Sequence, residues 1–146
     1  MFYGEFFHSI DRKGRLILPS KFREAAKGNF VERFYATRGL DTCLFMFAEE
    51  EWKSQEQKFK AIPFTKQESR VFNRLYFSGA VELVPDRQGR VLLPQYLKDF
   101  ADIKRDIVIV GVSNRIEIWA QEQWRNFYAN WRASFEEIAE KLIDTA

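Results

Sequence analysis

The chain has 146 residues, and its formal net charge of +2 balances 23 Lys and Arg against 21 Asp and Glu. With 46% hydrophobic and 30% charged residues it has an ordinary soluble composition, long enough for one body with a proper core. No apolar run reaches the length of a membrane span, the start MFYGEFFHSIDRKGR lacks the layout of a secretory signal, and the single cysteine, Cys43, excludes an internal disulfide and fits a reducing cytosol.

The first predicted element is a short strand over residues 5–10. It is followed by DRKGRLILP, Asp11 to Pro19, and nearly the same nine residues return 75 positions later as DRQGRVLLP, Asp86 to Pro94, after a strand over 80–85. Phe2 and Gly4 match Phe77 and Gly79 at that same offset, while Ala48, Glu50 and Trp52 match Ala120, Glu122 and Trp124 at an offset of 72. The chain is therefore read as two copies of one unit, with a loop three residues shorter in the second copy, VSN against RGLDTC.

Within each copy the aspartate can bond its own turn and the glycine, Gly14 or Gly89, supplies a positive φ. The expected result is a hairpin whose tip carries Arg12 and Lys13 in one copy and Arg87 and Gln88 in the other. A helix over SKFREAAK, with Ser20 as N-cap and Gly28 as its stop, matches QYLKDFADI. Each unit then closes with strands, RFYATRG and CLFMF, or DIVIVGV and RIEIWA. Between the units lie a helix over EEEWKSQEQKFKAI, acidic in its first turn, and one over TKQESRVFNRLYF. The second is expected to open with a capping box at Thr65 and Glu68 and to bury Val71, Phe72, Leu75 and Tyr76. The last segment carries Trp124, Phe127, Tyr128, Trp131, Phe135, Ile138 and Leu142 at spacings of three and four, one stripe of a long helix that covers the sheets or forms a subunit contact.

Charge is unevenly spread. From His8 to Lys27 six basic residues face Asp11 and Glu24, whereas from Ala133 to Ala146 Lys141 faces four acidic residues. Such a distribution permits an anion-binding face and charge-assisted self-association. Arg and Lys on hairpin tips suit phosphate contact, and Arg suits bidentate readout of guanine. Asp11 with Arg15, and Asp86 with Arg90, also admit a purely structural reading as pairs that brace a turn. Catalysis has little support. His8 is the lone histidine and is read as a packed or surface imidazole, Cys43 as a packed thiol, and Glu49 to Glu51 as helix-start charge; no metal, cofactor or small-molecule site is expected.

The start MFYGEFFHSIDRKGRLILPSKFRE, the second copy FSGAVELVPDRQGRVLLP and the stretch VGVSNRIEIWAQEQW together resemble the MraZ transcriptional regulators of bacteria, over nearly the whole chain. The resemblance implies an α+β fold in which two tandem SpoVT/AbrB-type repeats, residues 5–50 and 79–122, form a swapped-hairpin β-barrel flanked by helices, with 123–146 as a C-terminal amphipathic helix. It implies a cytoplasmic, nucleoid-associated regulator that assembles as a ring homo-oligomer. Such a regulator binds repeated promoter elements in double-stranded DNA upstream of the division and cell-wall gene cluster. Carried over by position, Arg15 and Arg90 are the motif arginines and Asp11 and Asp86 the motif aspartates. Lys13 is a frequent basic residue of the first tip. Arg12 and Arg87 stand at variable positions and are assigned to DNA on charge alone. The rival reading is a ring-forming scaffold that contacts protein and not DNA.

Overall fold

The computed structural model describes residues 1–24 and 31–145. The first copy supplies β1 (Phe2–Ser9), β2 (Arg15–Ile17), α1 (Ser20–Arg23), β3 (Phe34–Arg38), β4 (Leu44–Ala48) and α2 (Glu49–Lys60). After α3 (Gln67–Ser78) the second copy supplies β5 (Val81–Leu83), β6 (Arg90–Leu92), α4 (Gln95–Phe100), β7 (Asp106–Ser113), β8 (Ile116–Ala120) and α5 (Gln121–Trp131). A 3₁₀ turn, Arg132–Ser134, leads into α6 (Phe135–Thr145).

The α+β class is as expected, and every strand pair is antiparallel. The strands do not close into a barrel. They form an open sheet in the order β1-β7-β8-β4-β3-β5 and a separate ribbon, β2-β6. Exchanging each strand for its counterpart in the other copy leaves that order unchanged when it is read from the opposite edge, so the duplication is written into the sheet. The expected hairpin also differs. The strands flanking each tip do not pair with each other: β1 pairs along its whole length with β7, β5 with β3, and β2 with β6. The strands beside each tip thus close their hydrogen bonds on the other copy, while β3-β4 and β7-β8 pair within one. Identical alternation in the two copies makes either partner acceptable to the ladder, and crossing over lets Leu16, Leu18, Val91 and Leu93 all turn inward against the sheet.

The central core is aliphatic, with Leu44, Met46, Ile107, Ile109, Ile116 and Ile118 from the middle strands and Leu97 from α4. Phe22 of α1 seals one edge, with Phe2 and Phe6 against it edge-on at 5.5 and 5.2 Å. A second, aromatic core lies under α2 and α3, where Trp52 stacks on Tyr35 and Tyr76 at 5.7 Å and touches Phe47 and Phe77. The loop difference between copies is as read: residues 39–43 join β3 to β4, whereas 114–115 join β7 to β8.

Four local expectations are corrected. The N-cap of α1 is Pro19, and Ser20 is its first residue; the stop at Gly28 lies outside the described residues. No capping box forms at Thr65, because the chain turns after Pro63 and α3 starts at Gln67 with Lys66 as N-cap, while Arg70 reaches back onto the carbonyls of Phe64 and Thr65 at 3.0 Å. Of the residues expected to be buried on α3, Tyr76 is buried and Phe72 half-buried, but Val71 and Leu75 are exposed. The long C-terminal helix is broken at Arg132–Ser134. Only the first turns of its stripe cover the sheet: Trp124 and Phe127 pack on Trp119 at 5.4 and 5.2 Å, while Tyr128, Trp131, Phe135 and Leu142 face solvent.

Candidate nucleic-acid interface

The two tips have the same construction. At the first, the Asp11 carboxylate accepts from the backbone N–H groups of Lys13 and Arg15 at 2.9 Å through Oδ1 and from Arg15 Nε at 2.8 Å through Oδ2. At the second, Asp86 accepts from the N–H groups of Gln88 and Arg90 at 2.9 Å and from Arg90 Nε at 2.7 Å. The Gly14 and Gly89 N–H groups close each turn on the aspartate carbonyl, at φ of +82° and +80°, where an L side chain would be strained. The copies also clasp each other, since Leu18 N–H donates to Gly89 O at 2.9 Å and Leu93 N–H to Gly14 O at 3.0 Å. The structural and functional readings of the motif are therefore compatible: Nε of each arginine is committed to its aspartate, which aims the rest of the guanidinium.

The ribbon sets the direction of that aim. In the β2-β6 register Arg15 faces Leu92, Leu16 faces Val91 and Ile17 faces Arg90. Facing residues point to the same side, so Leu16 and Val91 enter the core while Arg15, Leu92, Ile17 and Arg90 form the outer face. Ile17 and Leu92 are exposed. Sequence reasoning placed both arginines but missed these two aliphatics; the alternation of RLILP and RVLLP carries the signal, because it leaves one apolar residue in each strand on the solvent side. Arg12, Lys13, Arg87 and Gln88 ride exposed on the turns.

Both motif carboxyls are held below the ordinary value of 3.8, first by the backbone N–H of the motif arginine and further by its guanidinium and by the N–H of Lys13 or Gln88. A lowered folded-state value contributes stability that is present above 3.8 and is lost as pH falls through the lowered values. The stability gap between the wild type and an Asp11→Asn, Asp86→Asn variant is therefore expected to narrow as pH falls through that range. Urea midpoints measured across acid pH check this, and a gap that stays constant would contradict it.

Of the candidates for other chemistry, Cys43 is a packing group and His8 is a surface imidazole. Cys43 is fully buried, bonds through its thiol to Leu40 O at 3.0 Å, and has its pKa pushed up by burial, which disfavours the nucleophilic thiolate. His8 lies exposed on β1. Among the described residues no helix is long and apolar enough to cross a membrane.

Comparison with known proteins agrees with the duplicated architecture. The family model described as "MraZ protein, putative antitoxin-like" matches twice, over residues 1–75 and 76–146. Two proteins named transcriptional regulator MraZ, from Carboxydothermus hydrogenoformans and Natranaerobius thermophilus, are each 51% identical over 144 residues, covering 99% of this chain and 98% of their own. A third of the same name, from Desulforamulus reducens, is 49% identical over 144 residues, covering 99% of each chain. Two matches of the family model that together span the chain, and near-complete coverage at about half identity, place this chain in the MraZ family.

Proposed function

We propose that this chain is a transcriptional regulator that binds double-stranded DNA through the outer face of the β2-β6 ribbon. The observation that carries the reading is the placement of Arg15 and Arg90 at opposite ends of one antiparallel ribbon, each pre-aimed by its aspartate, with Leu92 across from Arg15 and Ile17 across from Arg90. A two-stranded ribbon fits the major groove, where arginine bonds guanine O6 and N7 and an apolar side chain meets the thymine methyl. The arginines stand two residues apart along the strands, roughly 7 Å, which matches about two base steps of 3.4 Å each. Arg12, Lys13 and Arg87 on the turns supply phosphate contacts around the bases read.

In this reading the targets are repeated promoter elements upstream of the division and cell-wall gene cluster, and the protein works in the cytoplasm on the nucleoid as a ring homo-oligomer. The relatives' names support a role in transcription, and the targets are those the family resemblance implies. The exposed aromatics Tyr128, Trp131 and Phe135 supply a surface for self-association. The exchange of strands between copies fits one AbrB-type swapped-hairpin unit built from the two repeats together, with the C-terminal helices outside it. A ring joins several weak contacts by effective concentration, so affinity should rise steeply with the number of evenly spaced repeats. Fluorescence anisotropy with upstream duplexes of one to four repeats tests this across a salt series, where each phosphate engaged contributes a slope of about −0.9 in log K against log salt. Affinity indifferent to both repeat number and salt would overturn the reading and favour a scaffold that contacts protein through the same aromatic stripe.

A further inference from the structure

Beside the first tip is an open cavity of about 600 Å³ whose lining includes Arg12, Lys98, Lys104 and Arg105. The one carboxylate there, Asp11, is already engaged by three N–H groups of its own turn. None of the four cations makes an ion pair with a carboxylate among the described residues. An adjoining cleft of about 730 Å³ shares Lys98, Lys104 and Arg105, but Asp99, Asp102, Asp106 and Glu122 line it as well. The same three cations therefore have carboxylates along that side, and Asp11 as the one carboxylate on the side that faces the tip.

Backbone bonds fix this neighbourhood. Ile10 N–H donates to Arg105 O at 2.8 Å, which seats the Lys104-Arg105 turn beside Asp11, and Leu93 N–H donates to Gly14 O at 3.0 Å, which seats the start of α4. Lys98 Nζ stands 3.0 Å from where a Cβ on Gly14 would lie, so the glycine admits both the turn and the cation above it.

The second tip is built alike but charged differently. Arg23 takes the place of Lys98, with Nε 2.8 Å from a Cβ built on Gly89, and that Nε is buried without a hydrogen-bond partner among the described residues. Val31 N–H donates to Arg23 O as Ile103 N–H does to Lys98 O, and Phe34 faces Leu83 as Ile107 faces His8, so Glu32 and Arg33 stand where Lys104, Arg105 and Asp106 stand. Where the first tip has Lys104 and Arg105, the second thus has Glu32 beside Arg33, whose guanidinium is already paired with Glu82 at 3.0 Å.

We propose that the first tip is a phosphate clamp made by both copies, in which Lys98, Lys104 and Arg105 join Arg12 on one stretch of DNA backbone, and that the second tip holds the backbone more weakly. This rests on the DNA-binding reading and assigns the unequal shares of the two tips. Phosphodiester oxygens are the ligand, and the clamp positions the duplex while the ribbon face reads bases.

The test uses the full chain and a promoter duplex in the salt series. A Lys98→Gln, Lys104→Gln, Arg105→Gln variant is expected to flatten the salt slope by about 2 to 3, from about 0.9 per phosphate released, and to weaken binding at least about tenfold at moderate salt. All three side chains reach solvent, and circular dichroism checks that the fold is kept. A Glu32→Lys variant, independent of that fold question, should steepen the slope by about one. Wild-type slope in the triple variant, or no steepening in Glu32→Lys, would overturn the clamp while leaving DNA binding intact. A wild type with no salt-dependent affinity would overturn the DNA reading itself and the clamp with it.

Discussion

Replacing Arg15 and Arg90 together by alanine is expected to abolish specific DNA binding while leaving the fold and the assembly intact. Each arginine that bonds a guanine is worth about 1–3 kcal/mol, roughly a tenfold to hundredfold change in affinity apiece. The loss is functional because the turn survives: Asp11 keeps its bonds to the N–H groups of Lys13 and residue 15, Asp86 keeps those to Gln88 and residue 90, and both glycines keep their closing bonds. What disappears is one charge-assisted bond per tip, between partially exposed partners, which contributes little to stability. Anisotropy at several salt concentrations, run beside light scattering for oligomer size, separates the outcomes. Binding equal to wild type would make the motif turn architecture only.

The largest effect on stability is expected at Trp52. It is 6% exposed and forms the hub of the aromatic core, stacked between Tyr35 and Tyr76 and in contact with Phe47 and Phe77 at 5.6 to 5.8 Å. Trp52→Ala should cost about 3–5 kcal/mol, because the surrounding rings cannot collapse onto the void. The cost should appear as a lower urea midpoint with an unchanged slope. The tips stand on the aliphatic core, apart from this cluster, so the folded fraction should bind DNA as the wild type does. A shift of the midpoint worth less than about 1 kcal/mol would mean that α2 and α3 are held by other contacts.

Much of this was legible in one chain. The repeated nine residues carried the aspartate-bonded turn and its glycine at positive φ, since an aspartate two and four residues ahead of free N–H groups can accept from both, but not the pairing of the strands on either side. The shorter loop between β7 and β8 followed from the change of offset. Strand partners were not legible, because two copies with the same alternation offer each strand two equivalent edges, and only packing in three dimensions decides between them. Thr65 failed as a cap for a related reason: Pro63 and Arg70 organise the approach to α3 by contacts that a four-residue pattern does not contain. The break at Arg132 is invisible to a count of apolar spacing, which continues across it. Lys98, Lys104 and Arg105 went unassigned because nothing local ties them to a tip some ninety residues earlier.

The strand order that reads alike from both edges has one more consequence. A chain holding a single copy could build this sheet only by associating with its own duplicate, and two such chains would be bound by symmetry, so that any substitution at one tip would be imposed on the other. Joining the copies covalently removes that constraint. Gln88 can stand where the other copy has Lys13, and Glu32 where it has Lys104 and Arg105, without a compensating change elsewhere. The fused chain behaves as a tethered pair of former equals, free to divide one task into gripping at one end and lighter contact at the other.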